Sequence, residues 1–167
     1  PTELEFPSEI GTDRIVNALC AWRLYNKPAV IIDFGTATTF DVVSGDGTYQ
    51  GGVIAPGPNL SMQALHEAAA KLPKIEIEST DHAIAKDTVS AMQSGLYWGY
   101  IALIEGLTER LKKEMKEEKT VTVIATGGLA NLFAGDINCF DHIDQELTLY
   151  GLYHIFERNR NTVRHAA

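Results

Sequence analysis

Three short segments of the 167-residue chain gather the residue types that handle phosphates, cations and protons: Gly11-Thr12-Asp13-Arg14, Asp33-Phe34-Gly35-Thr36-Ala37-Thr38-Thr39 and Thr126-Gly127-Gly128. In the second, two apolar β-type runs flank a tight turn carrying an acid, a glycine and three threonines. Gly35 lets the backbone turn closely without a Cβ. The amides and hydroxyls of Thr36 to Thr39 can then point at one small charged object, a phosphate or a cation. The same residues also suit a plain hairpin in which threonine serves as a good strand former.

The other segments fall at element ends as well. Ile15, Ala18, Leu19 and Trp22 recur at helical spacing, which sets the Asp13-Arg14 pair at the entrance of a helix over about residues 13–26, ended by Asn26-Lys27-Pro28. Asp13 there could equally be an N-cap, with Arg14 a surface charge. Gly127-Gly128 follows a buried strand over 120–125 and precedes a helix beginning near Leu129, an arrangement friendly to nucleotides, although a glycine pair is as often only a turn.

Stepping along the chain, strands are expected at 29–34, 38–44 and 48–54, the last two joined by the hairpin signal Ser44-Gly45-Asp46-Gly47. Gly51-Gly52-Val53-Ile54-Ala55-Pro56-Gly57-Pro58 closes this antiparallel meander. A short helix carrying Leu60, Ala64, Leu65, Ala68 and Leu72 ends at Pro73, and 74–87 read as irregular. A long helix from Thr88 to about Lys116 follows. Its Gly95, Gly99 and Gly106 leave room for close approach, as a dimer seam or tight core packing would use. Leu149, Leu152, Tyr153 and Phe156 form the apolar face of a last helix, before a polar tail from Asn159. The charged run 112–119 reads as a solvated helix end. The expected class is α/β: a three-stranded antiparallel meander extended by parallel strands, with helices packed on the sheet.

Composition narrows the function classes. A hydrophobic fraction of 45% supports one core of ordinary size, hence one domain. The net charge of -8, without a basic cluster, argues against nucleic acid and anionic membrane surfaces as partners. ATP remains admissible if Mg²⁺ and local amides offset the repulsion. Cys20 and Cys139 lack metal-ligand spacing and make no disulfide framework, pointing to a reducing cytoplasm. His66, His82, His142, His154 and His165 are scattered, giving zinc little support. No apolar run is long enough to span a bilayer.

Taken in order, the motifs resemble those of the type III pantothenate kinases, a family of the actin-like, hexokinase-like and heat-shock-protein-like ATPase superfamily. The resemblance is carried by Gly11-Thr12-Asp13-Arg14 with Asn17-Ala18, by Asp33 to Thr39, by Gly51-Gly52-Val53-Ile54-Ala55-Pro56-Gly57, and by Leu72-Pro73. Lys86-Asp87-Thr88, Thr126-Gly127-Gly128, Leu147-Thr148-Leu149 and Gly151-Leu152 complete it. It implies a ribonuclease H-like/actin-like ATPase domain and ATP-dependent phosphorylation of pantothenate to 4′-phosphopantothenate, the opening step of coenzyme A synthesis. By it, Asp13 is the catalytic acceptor of the substrate's hydroxyl proton, and Gly11, Thr12, Asp13 and Arg14 line the pantothenate pocket. Asp33 is a ligand of a monovalent cation, K⁺ or NH₄⁺. Gly35, Thr36 and Thr38 serve the ATP phosphates, and Gly127 and Gly128 lie by the adenosine. Thr88 contacts pantothenate across a homodimer interface, or else simply caps its helix.

The family's first phosphate loop, Asp-x-Gly-Asn-Thr, does not occur in these residues. The chain is therefore expected to correspond to the second of two domains, and to have little turnover by itself. Thr12 stands where alanine is common and Ala85 where glycine is usual. Two alternatives remain open from sequence: a nucleotide-binding regulatory or interaction module without catalysis, and a kinase of the same superfamily acting on another small hydroxylated substrate.

Overall fold

The computed structural model describes residues 1–69, 71–115 and 120–165, with 161–165 as backbone alone. Helix α1 (Thr12–Tyr25) precedes strands β1 (Ala29–Phe34), β2 (Ala37–Val43) and β3 (Tyr49–Pro56). Helices α2 (Pro58–Ala68) and α3 (Thr88–Glu114), strand β4 (Thr122–Thr126), helix α4 (Ala130–Phe133), strand β5 (His142–Ile143) and helix α5 (Leu147–His165) follow. One sheet runs in the order β3-β2-β1-β4-β5. β1 pairs antiparallel with β2 and parallel with β4, so the direction of pairing switches at β1. This is the expected meander extended by parallel strands, the ribonuclease H-like/actin-like arrangement.

β1 and β4 lie in the middle of the sheet with helices on both faces, which is why Ala29 to Ile32 and Val123 to Ala125 are continuously buried instead of alternating. The register sorts their side chains. Val30, Ile32, Phe34, Phe40, Val42, Val123 and Ala125 meet Tyr97, Tyr100, Ile101 and Ile104 of α3 in the larger core. Ala29, Ile31, Val43 and Ile124 face the other way, onto Ala18, Cys20 and Ala21 of α1 and Leu147 of α5. Asp33, Thr39 and Asp41 share this second face, since Asp33 pairs with Thr39 and Ile31 with Asp41.

Several expectations shift. The buried residues of α1 are Val16, Asn17, Ala18, Cys20 and Ala21, while Ile15 is exposed, so the packed face is rotated from the one the apolar spacing suggested. Leu149, Leu152, Tyr153 and Phe156 of α5 are each more than half exposed, between 51% and 65%. They are not the face that packs here. That face carries Leu147 and Gly151, because a short side is what fits against Val16 and Cys20. Gly95, Gly99 and Gly106 have open space where a Cβ would stand, which removes tight packing within this chain as their reason. The expected end of α3 at Lys116 and the second half of the charged run, 116–119, lie outside the described residues.

Candidate functional site

The sheet presents acids at the carboxyl end of β1, beside the point where pairing direction switches, the usual location of ligands in α/β sheets. Asp33 is the next-to-last residue of β1 and is partly buried. Its Oδ2 accepts from Asn17 Nδ2 at 3.0 Å, and Asn17 Oδ1 accepts from Thr148 Oγ1 at 2.7 Å. Side chains of two helices packed on the same face of the sheet thus hold one carboxylate oxygen. The other, Oδ1, lies where Gly127 leaves space: a Cβ at that residue, whose φ is +89°, would stand 2.6 Å from it. Burial raises the Asp33 pKa, the Asn17 bond opposes the rise, and the charges of Asp13 and Asp41 add to it. No lysine pairs with Asp33 among the described residues.

Asp13 lies in the first turn of α1, exposed, near enough for its charge to raise both Asp33 and Asp41. It is not the N-cap. Gly11 holds that position without a side-chain bond, and Asp13 Oδ1 instead accepts from the Arg14 amide at 2.9 Å.

Arg14 does not extend freely into solvent. Its Nε donates to Asp41 Oδ1 at 2.6 Å, its Nη2 to the Phe40 carbonyl at 3.4 Å, and its guanidinium carbon stands 5.9 Å from the Tyr49 ring centroid. The Tyr49 hydroxyl donates to the same Asp41 Oδ1 at 2.7 Å. Gly52 permits this arrangement, since a Cβ there would overlap the Phe40 carbonyl and come 2.8 Å from Arg14 Nη2. Asp41 is wholly buried, and burial raises its pKa against the lowering pull of Tyr49 and Arg14.

Sequence reasoning missed Asp41 and Tyr49. The available signal was a charge inside Phe40-Asp41-Val42-Val43, a run otherwise fit for a core strand.

The structure brings together Gly11, Thr12, Asp13, Arg14 and Asp33 on the α1 face of the sheet, with Gly127 beside Asp33. Gly35 and Thr36 form the exposed tip between β1 and β2, where the Gly57 amide donates to the Thr36 carbonyl at 3.0 Å. Gly128 is exposed just after β4, but the helix beyond has only four residues, too short for a useful dipole. Thr38 points elsewhere. It pairs with Phe34 and shares the α3 face of the sheet, fully buried, its hydroxyl without a partner. Thr88 opens α3, also across the sheet from Asp13, and it is Asp87 that caps this helix by accepting from the Ser90 amide at 2.9 Å.

Net charge among Asp13, Arg14, Asp33 and Asp41 is negative. An anionic substrate or phosphate would approach this face only with a counter-ion. Among the described residues no group of three or more histidine, cysteine or acidic side chains could hold a metal by itself.

The family model described as type III pantothenate kinase matches residues 1–110. A type III pantothenate kinase of Caulobacter vibrioides is 58% identical over 158 residues, covering 93% of this chain and 60% of the relative. One of Phenylobacterium zucineum is 53% identical over 160 residues, covering 96% and 62%. The chain thus spans about three-fifths of the length of these relatives. Among solved structures, one described as a Baf family transcriptional activator from Campylobacter jejuni superposes with a TM-score of 0.65 at 22% identity, covering 93% of this chain and 67% of that one. That likeness speaks to the fold alone.

Proposed function

Because the chain belongs to the type III pantothenate kinase family, we propose that the whole protein transfers the γ-phosphoryl group of ATP to the 4′-hydroxyl of pantothenate. The supporting observation is Asp13 standing, exposed, beside a cation-ready Asp33 and a fixed Arg14 on one face of the sheet.

Asp13 accepts the hydroxyl proton as the substrate oxygen bonds to the γ-phosphorus and the bond from that phosphorus to the β–γ bridging oxygen breaks, leaving ADP. Positioning and charge neutralisation supply most of the rate in such transfers. Arg14 offers a planar donor edge to the acid's carboxylate or amide oxygens. Gly35, Thr36, Gly127 and Gly128 serve the nucleotide, while Thr38, buried beneath the turn, holds the strand that carries it.

The donor set fits a cation shared with phosphate oxygens: a single carboxylate, with Asp33 Oδ1 facing a Cβ-free glycine and Oδ2 tied to Asn17. Mg²⁺ and a monovalent cation, K⁺ or NH₄⁺, would neutralise phosphate charge there when bound. Asp33 would be the ligand of the monovalent ion.

We read the enzyme as a cytoplasmic homodimer of two-domain subunits. Thr88 lies across the sheet from Asp13, which supports its serving the pocket of a partner subunit. The open stripe Ala91, Gly95, Gly99, Ala102 and Gly106 on the same helix supports the same reading. Among the described residues no helix is long and apolar enough to cross a membrane.

The test is turnover by the intact protein with ATP, pantothenate, Mg²⁺ and K⁺, wild type against Asp13→Asn. A loss of about 10²–10⁴-fold is expected for a general base. Full activity in the variant removes that assignment, and an inert wild type removes the reaction.

A further inference from the structure

Arg14 is held from more sides than a surface arginine needs. A buried carboxylate takes its Nε, a backbone carbonyl takes its Nη2, its guanidinium carbon lies over an aromatic ring, and a glycine leaves space for its tip. Such an arrangement is costly to build, because Asp41 is wholly buried and would be better left in water unless the pairing served a purpose. We infer that Asp41 and Tyr49 are positioning residues, which fix the Arg14 guanidinium in one orientation so that its remaining terminal N–H groups meet a planar oxygen acceptor, the carboxylate or amide of an acid substrate. The inference rests on the kinase reading above and names two residues that reading does not require.

The physical logic is one of preorganisation. A free arginine side chain samples many rotamers, and a ligand that binds it must arrest them. Here the Asp41 bond and the Phe40 carbonyl engage two of the five N–H donors, on two different nitrogens, which sets the plane of the guanidinium. Asp41 in turn is fixed by Tyr49, whose hydroxyl donates to the same Oδ1 that receives Arg14. Thr39, two residues before Asp41, reaches its Oδ2 at 3.5 Å, the outer limit of a hydrogen bond. Tyr49 acts at one remove: without its hydroxyl the Asp41 carboxylate loses its second donor and Arg14 loses its fixed reference. The side chain of Arg14 keeps 16% of its surface exposed, so its unengaged edge stays open to a ligand while its base is locked.

Two measurements separate the arrangement from its purpose. In the full chain labelled with ¹⁵N-arginine, the Nε–H resonance lost in Arg14→Lys belongs to Arg14, and its solvent exchange reports the clamp. Tyr49→Phe, which keeps the ring, should accelerate that exchange by roughly tenfold, the equivalent of one hydrogen bond to a charged group. In the intact enzyme the same variant should raise KM for pantothenate by about the same factor while KM for ATP and kcat stay within about twofold, the pattern of a lost binding contact.

Asp41→Asn should behave likewise, and Tyr49→Phe decides the matter if that buried substitution does not fold. Unchanged exchange in Tyr49→Phe overturns the clamp whatever the protein phosphorylates. Faster exchange with an unchanged KM for pantothenate overturns its role in substrate binding. A wild type inert toward pantothenate counts against the kinase reading and leaves the exchange measurement to judge the clamp by itself.

Discussion

Thr148 Oγ1 donates to Asn17 Oδ1 at 2.7 Å, joining residues 131 positions apart and deciding which end of the Asn17 amide meets Asp33. With the oxygen occupied, the Nδ2 donor must turn to the carboxylate, which it does at 3.0 Å. Asn17 is 1% exposed, so neither end of the amide has water as an easy substitute. The start of α5 is thereby coupled to the acid at the end of β1 through a side chain of α1.

Replacing Thr148 by valine keeps the shape and deletes the donor. The buried amide oxygen is left unpaired, which costs about 1–3 kcal/mol, read as a lower urea midpoint with unchanged slope. If Asp33 holds the monovalent cation, the K⁺ concentration giving half-maximal turnover in the intact protein should rise as well. A variant with lowered stability but unaltered K⁺ dependence would confine the relay to structure.

Gly127 is the position where backbone and site chemistry meet. Its φ of +89° disfavours any side chain, and a Cβ would press on Asp33 Oδ1 at 2.6 Å and the Phe34 amide nitrogen at 2.7 Å. Gly127→Ala should cost about 1–3 kcal/mol from backbone strain and displace Asp33. Gly128, with open space around its would-be Cβ, should accept alanine within about 0.5 kcal/mol. Chemical denaturation of the pair, read side by side, checks the contrast.

Asp41 gives a pH dependence with a definite sign. Burial raises its pKa in the fold above the ordinary carboxylate value, more than Tyr49 and Arg14 pull it back. Between the unfolded and the raised folded pKa the native state holds a proton that the unfolded chain has released, so this group's contribution to stability falls as pH rises through that window. Asp41→Asn has no such titration. The variant's melting temperature relative to wild type should therefore climb from below the ordinary carboxylate range to above it, then level off. A difference that is flat across acid pH would mean that folding leaves the Asp41 pKa at its unfolded value.

Arg14→Ala tests the same pair from the other side. It leaves a carboxylate with 0% side-chain exposure to Tyr49 and the long Thr39 contact, and removal of one partner of a buried pair costs about 3–5 kcal/mol. Because Arg14 itself is 16% exposed, the lower end of that range is expected. Urea denaturation near neutral pH measures it, and a loss under about 1 kcal/mol would mean that water replaces the guanidinium.

Much of this molecule was legible from local pattern. Hairpin chemistry at Ser44 to Gly47, the glycine and threonine turn after Asp33, and Asn26 before a proline all act within a few residues. The elements they bound stand where expected, with Asn26 in the left-handed conformation at the end of α1. What escaped was nonlocal. Whether Asp41 faces water or the core depends on its register against Ile31 and Gly52, and its partners Arg14 and Tyr49 come from a helix and another strand. Thr38 and Thr39 look alike in sequence, yet a one-residue step in a strand sends their hydroxyls to opposite faces. The apolar residues of α5 misled because apolar periodicity shows that a face wants covering, not what covers it.

The glycines of α3 offer a test of quaternary structure in which two effects have opposite sign. Gly95 and Gly99 lie in a helix with open space at their Cβ positions, so within one chain alanine at either should help, by about 1 kcal/mol each from helix propensity. If this stripe is where two subunits meet, added methyl groups would hold the helices apart, and the subunit dissociation constant should rise even as the monomer gains stability. Sedimentation of the intact protein over a concentration series, paired with denaturation at high dilution, reads both. A stabilised Gly95→Ala, Gly99→Ala double variant that still dimerises as tightly as wild type would take α3 out of the interface. It would also take with it the proposal that Thr88 serves a neighbouring pocket.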